Sequence, residues 1–402
     1  MKPARAEKPA GVEAVKPDGQ IYGCPILVVD DAQSSRDHIS RMLEKAGFWN
    51  LEFATDGQAA LDRIAKFRPD LVILDIRMPV LDGIEVCRRL RADPATADLP
   101  VLVQTGMTDL ETRNAVFNLG ATDLLNKPLH RAELIARVKT QLQRQVTLQG
   151  LQNYVRQTEE DLKAARMTQL ALLPTAAMQD EITEHLGIRI GAYFATSAML
   201  GGDIWGLQEL GDGRLAFYVA DFAGHGMAAA LNTFRLHTLL RELQPLQETP
   251  ERMLCEINKK LLGLLPLGQF ATMFYGVIDL AADRLCYAAA GSPPALQWRD
   301  AGGRIERLDG SGVPLGIIAD ADYPLREAAF PTAATLLVFS DALIEGRRNG
   351  APAAGEEGVL AAARAAAHLA SPMEFVNRLC ADILGDAATP PSDDVTVLCL
   401  RR

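Results

Sequence analysis

The sequence contains few cysteines and no pair with the spacing of a disulfide or zinc motif. Its six cysteines stand singly along 402 residues. We therefore expect buried, reduced thiols in a cytoplasmic protein. It also lacks an apolar run of about 18 residues, the length that crosses a bilayer. The first twenty residues contain no hydrophobic stretch of a secretory signal, so neither membrane insertion nor secretion is predicted.

Positive charge is in deficit as well. Lys and Arg number 41 against 51 Asp and Glu, which gives a formal net charge of −10. An acidic chain is a poor electrostatic match for a phosphate backbone, so we do not expect nucleic acid as a partner. With 48% hydrophobic and 23% charged residues, the composition is that of a globular chain. Its length predicts two or three domains.

Residues 25–130 alternate short apolar runs with amphipathic stretches. Continuous apolar strands that alternate with helices indicate a parallel sheet covered on both faces, and hence a doubly wound α/β domain with five strands. The predicted strands are 26–29, 51–54, 71–74, 101–103 and 123–125. The predicted helices lie near 34–46, 57–66, 82–92 and 109–118.

A long helix is predicted over 131–172, where there is no proline and only one glycine. Apolar residues with the 3-4 spacing of a coiled-coil seam are Leu148, Leu151, Val155, Thr158, Leu162 and Ala165. An earlier set, Ile135, Val138 and Leu142, is offset from this register by one residue. A homodimeric coiled coil and a helix packed on its own domain both remain open.

From about residue 188 the strand-like runs come in hairpin-like pairs interrupted by helical stretches. The predicted strands are 188–194, 215–220, 272–279, 284–290, 295–299, 335–339 and 395–400. This pattern predicts an α+β domain with two antiparallel sheets flanked by helices. We therefore expect four segments: a flexible arm over 1–22, an α/β domain over 23–134, a helical coiled-coil linker over 135–172 and the α+β domain over 173–402.

Acidic residues end two of the predicted parallel strands. Asp30 and Asp31 follow the first strand, and Asp75 follows the third. The carboxyl ends of parallel strands share one crevice, where three carboxylates would repel one another unless a hard cation such as Mg²⁺ lay among them. Thr105 and Lys127 would add a hydroxyl and a positive charge, so this set can position and neutralise a phosphoryl group. A helix-capping role would explain only one or two of the aspartates.

Residues 25–140 resemble the receiver domain of bacterial two-component response regulators. The motifs that carry the resemblance are Val-Val-Asp30-Asp31, Asp75-Ile-Arg-Met78-Pro79, Thr105-Gly and Lys127-Pro128. The resemblance implies that Asp75 accepts a phosphoryl group from a cognate histidine kinase. It further implies a Mg²⁺ ion, whose ligands would be Asp30, Asp31, Asp75 and the main-chain oxygen of Arg77.

The same resemblance implies that Thr105 and Lys127 contact the phosphoryl group and that a cis bond precedes Pro128. One position departs from the pattern. Receivers usually carry an aromatic residue three positions before the lysine, where its rotamer reports phosphorylation, and here that position is Leu124. The motifs therefore predict phosphorylation of Asp75 more clearly than they predict how phosphorylation changes the rest of the protein.

A second set of acids occupies the C-terminal half. Its motifs are Gly201-Gly202-Asp203, Asp221-Phe-Ala-Gly-His-Gly226, Ser340-Asp341 and Asp393-Asp394. Each acid lies where an apolar run begins or ends, and neighbouring glycines allow backbone and carboxylates to approach closely. Carboxylates gathered from such distant segments need divalent cations, and two adjacent ions can share a hydroxide that attacks a phosphoester.

Residues 165–402 resemble the sporulation-type branch of the PPM (type 2C) serine/threonine phosphatases. Further matching motifs are Leu-Leu173-Pro174, Phe270-Ala-Thr-Met273 and Gly312-Val-Pro-Leu-Gly316. The resemblance implies two Mn²⁺ or Mg²⁺ ions, whose ligands would be Asp203, Asp221, the main-chain oxygen of Phe222, Asp341 and Asp394. Gly202 and His225 would lie beside these ligands, and His225 either donates to the site or is satisfied within its own turn. Asp393 receives no metal role.

Three positions depart from the phosphatase pattern. Gly206 stands where an acid is common, Ala342 where a glycine is usual, and Ser292 where a histidine is often found. None of them removes one of the four main acids, so we predict an active enzyme with a weakened metal site at most. The alternative is a catalytically silent adaptor that binds a sigma factor or an anti-sigma partner under receiver control.

The two resemblances together imply a response regulator in which phosphorylation of Asp75 controls a protein phosphatase. The implied substrate is a phosphoserine or phosphothreonine on a regulatory protein such as an anti-sigma factor antagonist. The sequence does not indicate whether phosphorylation activates or inhibits.

Overall fold

A computed structural model of the chain describes residues 21–106, 120–224, 226–266, 268–299, 303–345, 354–385 and 391–402. The chain divides into two compact units, Met1–Thr158 and Glu159–Arg402. Among the described residues, no helix is both long and apolar enough to cross a membrane. Of the arm predicted over 1–22, residues 1–20 fall outside the described residues, and the prediction is wrong for Ile21 and Tyr22, which begin a 3₁₀ helix (Ile21–Gly23) with Ile21 buried. The helix predicted near 109–118 and His225 also fall outside the described residues.

The N-terminal unit contains a parallel five-stranded sheet in the order β2-β1-β3-β4-β5. This order confirms the predicted doubly wound α/β domain. The strands are β1 (Ile26–Val29), β2 (Leu51–Ala54), β3 (Leu71–Asp75), β4 (Val101–Thr105) and β5 (Asp123–Asn126). The helices around it are α1 (Gln33–Glu44), α2 (Gly57–Phe67) and α3 (Gly83–Ala92).

Both faces of this sheet are covered, as its continuous apolar strands predict. On one face Val29, Leu74 and Val103 pack with residues of α2 and α3. On the other, Val28 and Ile73 pack with α1. Helix capping falls to Asp56 and Asp82, whose side chains accept hydrogen bonds from backbone N–H groups of α2 and α3. The capping interpretation therefore does not account for the aspartates at the strand ends.

A helix of 40 residues, α4 (Arg131–Leu170), follows β5 and runs from the first unit into the second. Its first turns bury Leu134, Val138 and Leu142 against the α1 face of the parallel sheet. Further along the helix, several apolar side chains on the predicted seam or beside it are exposed. Leu148, Leu151, Tyr154 and Val155 have exposed fractions between 45% and 69%.

The C-terminal unit contains two antiparallel sheets of five strands, in the orders β13-β10-β9-β8-β7 and β12-β11-β14-β15-β6. The strands are β6 (Arg189–Ala195), β7 (Asp203–Gly211), β8 (Arg214–Phe222), β9 (Ala271–Asp279), β10 (Arg284–Ala290), β11 (Ala295–Trp298), β12 (Glu306–Leu308), β13 (Arg326–Ala329), β14 (Thr335–Phe339) and β15 (Val395–Arg401). The helices are α5 (Ala176–Leu186), α6 (Met227–Glu242), α7 (Pro250–Leu262), α8 (Ala342–Glu345), α9 (Gly355–Ala366) and α10 (Pro372–Leu384).

The two sheets face each other across an apolar core, and helices cover their outer faces. Phe217 and Phe274 stack inside this core with ring centroids 6.1 Å apart. Helices α6 and α7 pack on the outer face of the first sheet, and α9 and α10 pack on that of the second. The resulting α/β/β/α layering confirms the predicted α+β domain with two antiparallel sheets.

Candidate functional sites

Three carboxylates meet at the carboxyl edge of the parallel sheet. Asp30 and Asp31 follow β1, Asp75 ends the neighbouring β3, and one oxygen of each lies within 4.8 Å of the others. Asp30 and Asp75 are buried, whereas Asp31 is exposed. Buried like charges this close are unfavourable without a compensating cation. The donor set, all oxygen and partly open to solvent, fits a hard divalent ion.

Lys127 supplies positive charge to this cluster. Its Nζ donates to Asp75 Oδ2 at 2.6 Å and to Asp30 Oδ2 at 3.2 Å. Burial lowers the pKa of Lys127, but its hydrogen bond to Asp75 and the charges of Asp75 and Asp30 outweigh burial, so the pKa is raised above its ordinary value. The ammonium group is therefore fully charged at neutral pH. The Lys127–Pro128 peptide bond is cis, as the resemblance implies.

A cleft of about 190 Å³ opens beside the cluster. It is lined by Asp75, Ile76, Arg77, Gln104, Thr105, Gly106 and Lys127. The structure thus brings every receiver residue that was predicted to contact metal or phosphoryl either into the acid cluster or to the wall of this cleft. Leu124, which replaces the usual aromatic residue, is buried in the core on the α2 and α3 side of the sheet.

A second acidic centre lies where the two antiparallel sheets of the C-terminal unit come together. Asp203 begins β7 and is the register partner of Asp221 on β8. Asp203 is 1% exposed, and within the described part of the chain neither of its carboxylate oxygens has a hydrogen-bond partner of normal geometry, although the Thr396 and Ser340 hydroxyls are close enough to lower its pKa. Burial, followed by the charge of Asp221, raises the pKa of Asp203 well above its ordinary value. A buried carboxylate with both oxygens unpaired is the donor that a divalent ion would satisfy.

Burial and neighbouring acids raise the pKa of both Asp221 and Asp341. Burial, then Asp341, and to a smaller extent Asp393 and Asp394, raise the pKa of Asp221 to about 7. The pKa of Asp341 is raised by burial, by Glu345 and by Asp393. Asp341 follows β14 and Asp393 precedes β15, and these strands pair antiparallel, so the two acids come from adjacent strand ends.

Asp394 differs from Asp393 because a loop distant in the sequence holds its carboxylate, whereas Asp393 Oδ1 accepts one hydrogen bond, from the backbone N of Asp394 at 2.8 Å. Ser197 donates to Oδ1 from its backbone N at 2.7 Å and from its hydroxyl at 3.0 Å. Gly202 N donates to Oδ2 at 2.6 Å. The Asp394 side chain, 4% exposed, therefore fastens the start of β15 to the loop that precedes β7. The neighbouring Asp393 is exposed, and its negative charge raises the pKa of Asp341.

Sequence analysis gave Asp393 no metal role, whereas its exposed carboxylate beside Asp341 makes it a candidate ligand. Two adjacent acids indicate that one carboxylate could bind a metal while the other binds the protein. The sequence does not indicate which of the two bonds to the loop that precedes β7.

Gly202 lets the backbone approach this centre closely. A Cβ atom on Gly202 would lie 2.7 Å from the carbonyl oxygen of Phe222, a contact that side chains do not tolerate. The Phe222 side chain is buried in the core beneath α6, so its main-chain oxygen is the part of the residue that a cation could reach. The metal role of the Phe222 carbonyl and the supporting role of Gly202 stay predictions.

The positions that depart from the phosphatase pattern have different structural surroundings. A Cβ on Gly206 would lie 2.4 Å from the Tyr218 ring, so the tyrosine fills the space where an acid is common. Ser292 is partly buried, and its hydroxyl has no hydrogen-bond partner. Among the described acids of this unit, no three bring carboxylate oxygens within 4.8 Å of one another, so this centre is looser than the one around Asp75.

These features define a two-domain signalling protein. One domain is a doubly wound α/β fold with a carboxylate cluster and a lysine at its carboxyl edge. The other is an α/β/β/α sandwich with buried acids at the strand ends.

Family models agree with this class. Residues 26–139 match the response regulator receiver domain, and residues 211–402 match stage II sporulation protein E (SpoIIE). The chain therefore joins a receiver domain to a SpoIIE domain of the PPM, or PP2C, phosphatase type.

Relatives with known names cover parts of the chain. It is 43% identical over 143 residues to the response regulator MprA of Mycolicibacterium vanbaalenii, across 36% of this chain and 61% of that protein. A second MprA, from Mycobacterium sp. strain KMS, is 47% identical over 119 residues, across 30% and 50% respectively. The chain thus covers less than two thirds of the length of these relatives.

Among solved structures, the SiaA-PP2C domain of Pseudomonas aeruginosa superposes with a TM-score of 0.53 at 22% identity. It covers 62% of this chain and 98% of its own. At this identity the likeness establishes a shared fold.

Proposed function

We propose that this protein is a metal-dependent protein-serine/threonine phosphatase whose activity is controlled by phosphorylation of Asp75. The observation that carries the enzymatic part is Asp203, a fully buried carboxylate with two unpaired oxygens that stands opposite Asp221. Such a group is costly in a protein without a bound cation. We infer a site for two Mn²⁺ or Mg²⁺ ions.

The ligands we assign are Asp203, Asp221, the main-chain oxygen of Phe222, Asp341 and Asp393. Asp393 takes the place that the sequence analysis gave to Asp394, because the carboxylate of Asp394 is held by Ser197 and Gly202. Bound ions would activate water and neutralise the charge of a phosphoester. The protein holds its carboxylates at fixed strand ends, and Asp394 keeps the loop beside Asp203 in place.

In the receiver, the carboxylate of Asp75 is the proposed phosphoryl acceptor from a histidine kinase. Lys127 already contacts it at 2.6 Å and would neutralise an incoming oxygen. Thr105 lines the same cleft and would donate its hydroxyl to the phosphoryl group. Asp30, Asp31, Asp75 and the main-chain oxygen of Arg77 would hold Mg²⁺.

The end of α4 offers a route for regulation. Gln169 is buried, and its Nε2 donates to the carbonyl of Gly201 at 2.6 Å and to Thr233 Oγ1 on α6 at 3.1 Å. Gly201 N in turn donates to Gln169 Oε1 at 3.3 Å. Gly201 lies two residues before Asp203, so a shift of the last turn of α4 would be felt at the proposed metal site. We infer that phosphorylation of Asp75 acts through this helix.

Hydrolysis of p-nitrophenyl phosphate tests the enzymatic proposal. We expect Mn²⁺-dependent turnover by the full chain and a loss of at least about 100-fold in Asp221→Ala, because one proposed ligand is removed. Equal rates in the two proteins would overturn the proposal. Such a result would favour the adaptor that binds a sigma factor or anti-sigma partner.

Regulation is tested with the acyl-phosphate mimic BeF₃⁻, with Asp75→Asn as the control. Typical coupling free energies of about 1–3 kcal/mol correspond to a change in turnover of about 5- to 150-fold in the wild type, and we expect no change in Asp75→Asn. Unchanged turnover in the wild type would contradict control by the receiver.

The substrate we propose is a phosphoserine or phosphothreonine on a small regulatory protein such as an anti-sigma factor antagonist. The acidic chain and its protein-phosphatase fold support output through protein contacts. Incubation with phosphorylated candidate proteins from the same cell, with and without BeF₃⁻, identifies the target by loss of phosphate. Dephosphorylation that persists in Asp221→Ala would contradict the assignment.

A further inference from the structure

Gln104 is a buried polar residue that the proposed chemistry has not yet used. It is the fourth residue of β4 and has an exposed fraction of 0%. Among the residues that the structure describes, neither Oε1 nor Nε2 of its carboxamide has a hydrogen-bond partner. Buried amide groups are nearly always paired, because burying an unpaired one is unfavourable. The receiver therefore retains a polar group at a position where leucine or methionine would fill a similar volume without that cost.

The position of Gln104 connects it to the phosphoacceptor. Gln104 is the register partner of Asp75 in the parallel pair of β3 and β4. Partners in neighbouring strands project to the same face of a sheet, so the carboxamide and the carboxylate leave the sheet side by side. Both residues line the 190 Å³ cleft, together with Lys127.

A phosphoryl group on Asp75 would give both halves of the carboxamide a partner. It brings negatively charged oxygens into the cleft, and Nε2 can donate to one of them. It also competes for Lys127, whose Nζ now lies 2.6 Å from Asp75 Oδ2, and Oε1 can accept from that ammonium. Hydrogen bonds to charged groups are stronger than neutral ones, so the amide gains most when the site is occupied.

We propose that the carboxamide of Gln104 directly contacts the phosphoryl group on Asp75 and that it helps to hold Lys127 there. The unpaired amide lowers the stability of the resting receiver, and it binds the occupied site. This inference rests on the proposed phosphorylation of Asp75. Two effects of opposite sign therefore follow from one substitution, a combination that a purely structural glutamine does not produce.

The test uses the full chain with Mg²⁺ and BeF₃⁻, and it measures affinity by isothermal titration calorimetry and bound fluoride by ¹⁹F NMR. In Gln104→Leu we expect the unfolding temperature of the N-terminal unit to rise and the affinity for BeF₃⁻ to fall by about tenfold or more. The matched control is Gln141→Leu, which changes another buried glutamine that does not line the cleft. Its affinity for BeF₃⁻ should equal that of the wild type.

Equal affinity of Gln104→Leu and the wild type would overturn this inference and leave the proposed phosphorylation of Asp75 intact. Parallel loss of stability and affinity in Gln104→Leu would also overturn it, because such a loss indicates a structural role. If the wild type itself fails to bind BeF₃⁻, as we expect only for Asp75→Asn, both proposals fall together.

Discussion

The adjacent acids Asp393 and Asp394 show how two identical side chains acquire different tasks from their surroundings. Asp394 is buried and accepts three hydrogen bonds from Ser197 and Gly202. Asp393 is exposed and raises the pKa of Asp341. Substitution at the two positions should therefore have separable effects on stability and on activity.

We predict that Asp393→Asn lowers Mn²⁺-dependent turnover by about 100-fold or more and leaves the free energy of unfolding nearly unchanged. Removing one of several mutually repelling carboxylates costs little without metal. Asp394→Asn should lower the free energy of unfolding by about 2–3 kcal/mol, because hydrogen bonds to a buried charge are weakened. Urea denaturation in EDTA and phosphatase assays measure the two effects. The opposite assignment of effects would restore Asp394 as the ligand.

Asp221 makes the stability of the metal-free C-terminal unit depend on pH. Its pKa is about 7 when folded, against an ordinary value of 3.8. Between these values the folded chain keeps a proton that the unfolded chain has released, so stability falls as the pH rises towards and through 7. The raised pKa values of Asp203 and Asp341 act in the same direction.

We therefore expect the unfolding temperature of this unit in EDTA to decrease between pH 5 and pH 8, with a shallower slope in Asp221→Asn. Adding Mn²⁺ should stabilise the unit more strongly at pH 8 than at pH 5, because protons compete with the metal for these carboxylates. Calorimetry with and without metal measures both slopes. A metal-free unfolding temperature that rises over this range would contradict the interpretation of the acid cluster.

At the residue scale the sequence predicted that the receiver acids gather at one edge of the sheet, because each adjoins the end of an apolar strand. Asp75, Asp30 and Asp31 lie together as that reasoning requires. The choice between Asp393 and Asp394 was not predictable, since it depends on a loop almost 200 residues earlier in the chain. The unpaired amide of Gln104 was not predictable either, because the fold decides which groups lie within hydrogen-bond distance of it.

Among the elements, the middle of α4 is unusual because apolar side chains on the coiled-coil seam remain exposed. Leu151 and Val155 are 57% and 47% exposed. Exposed apolar residues at 3-4 spacing are typical of a helix that pairs with a second copy. We propose that two chains dimerise along this seam.

Leu151→Glu should convert the dimer to a monomer, because it places a charge in the seam. Gln152→Glu, the adjacent exposed position outside the seam, introduces the same charge and should leave the dimer intact. Size-exclusion chromatography with light scattering distinguishes one chain from two. A wild type that is monomeric at micromolar concentration would contradict the proposed seam.

Elements with strong periodicity were predictable, and short or irregular ones were not. Strands β1, β2, β10 and β14 have the predicted bounds. In β1 and β14 every residue is buried, which is the pattern that a continuous run in the core predicts. Sequence analysis missed β7, whose Gly206 interrupts the pattern and is covered by the ring of Tyr218. It also missed β12 and β13, which have three and four residues and gain their order from pairing with neighbours.

For the whole molecule, we expect that occupancy of one proposed site changes the affinity of the other for its ligand. Thermodynamic linkage makes this coupling reciprocal for binding. If BeF₃⁻ changes the affinity for Mn²⁺ in the phosphatase domain by a given factor, Mn²⁺ must change the affinity for BeF₃⁻ by the same factor.

We predict equal factors of about 5–150 in the two titrations, and their disappearance in Asp75→Asn. Calorimetric titration of each ligand, with and without the other, measures both. If neither ligand changes the affinity of the other, the two proposed sites are not coupled in binding, and this prediction is wrong. Unequal factors would show that Mn²⁺ also binds elsewhere.

The division of tasks between Asp393 and Asp394 has a practical consequence. A chain that lacks only the Asp393 carboxylate should keep the loop fastened by Asp394, and with it the surface that a phosphoprotein approaches. Asp393→Ala would then hold its target without releasing phosphate, which makes it suitable bait for isolating the target protein. By the same reasoning, a single substitution would separate the proposed phosphatase from an inert docking protein of the same fold.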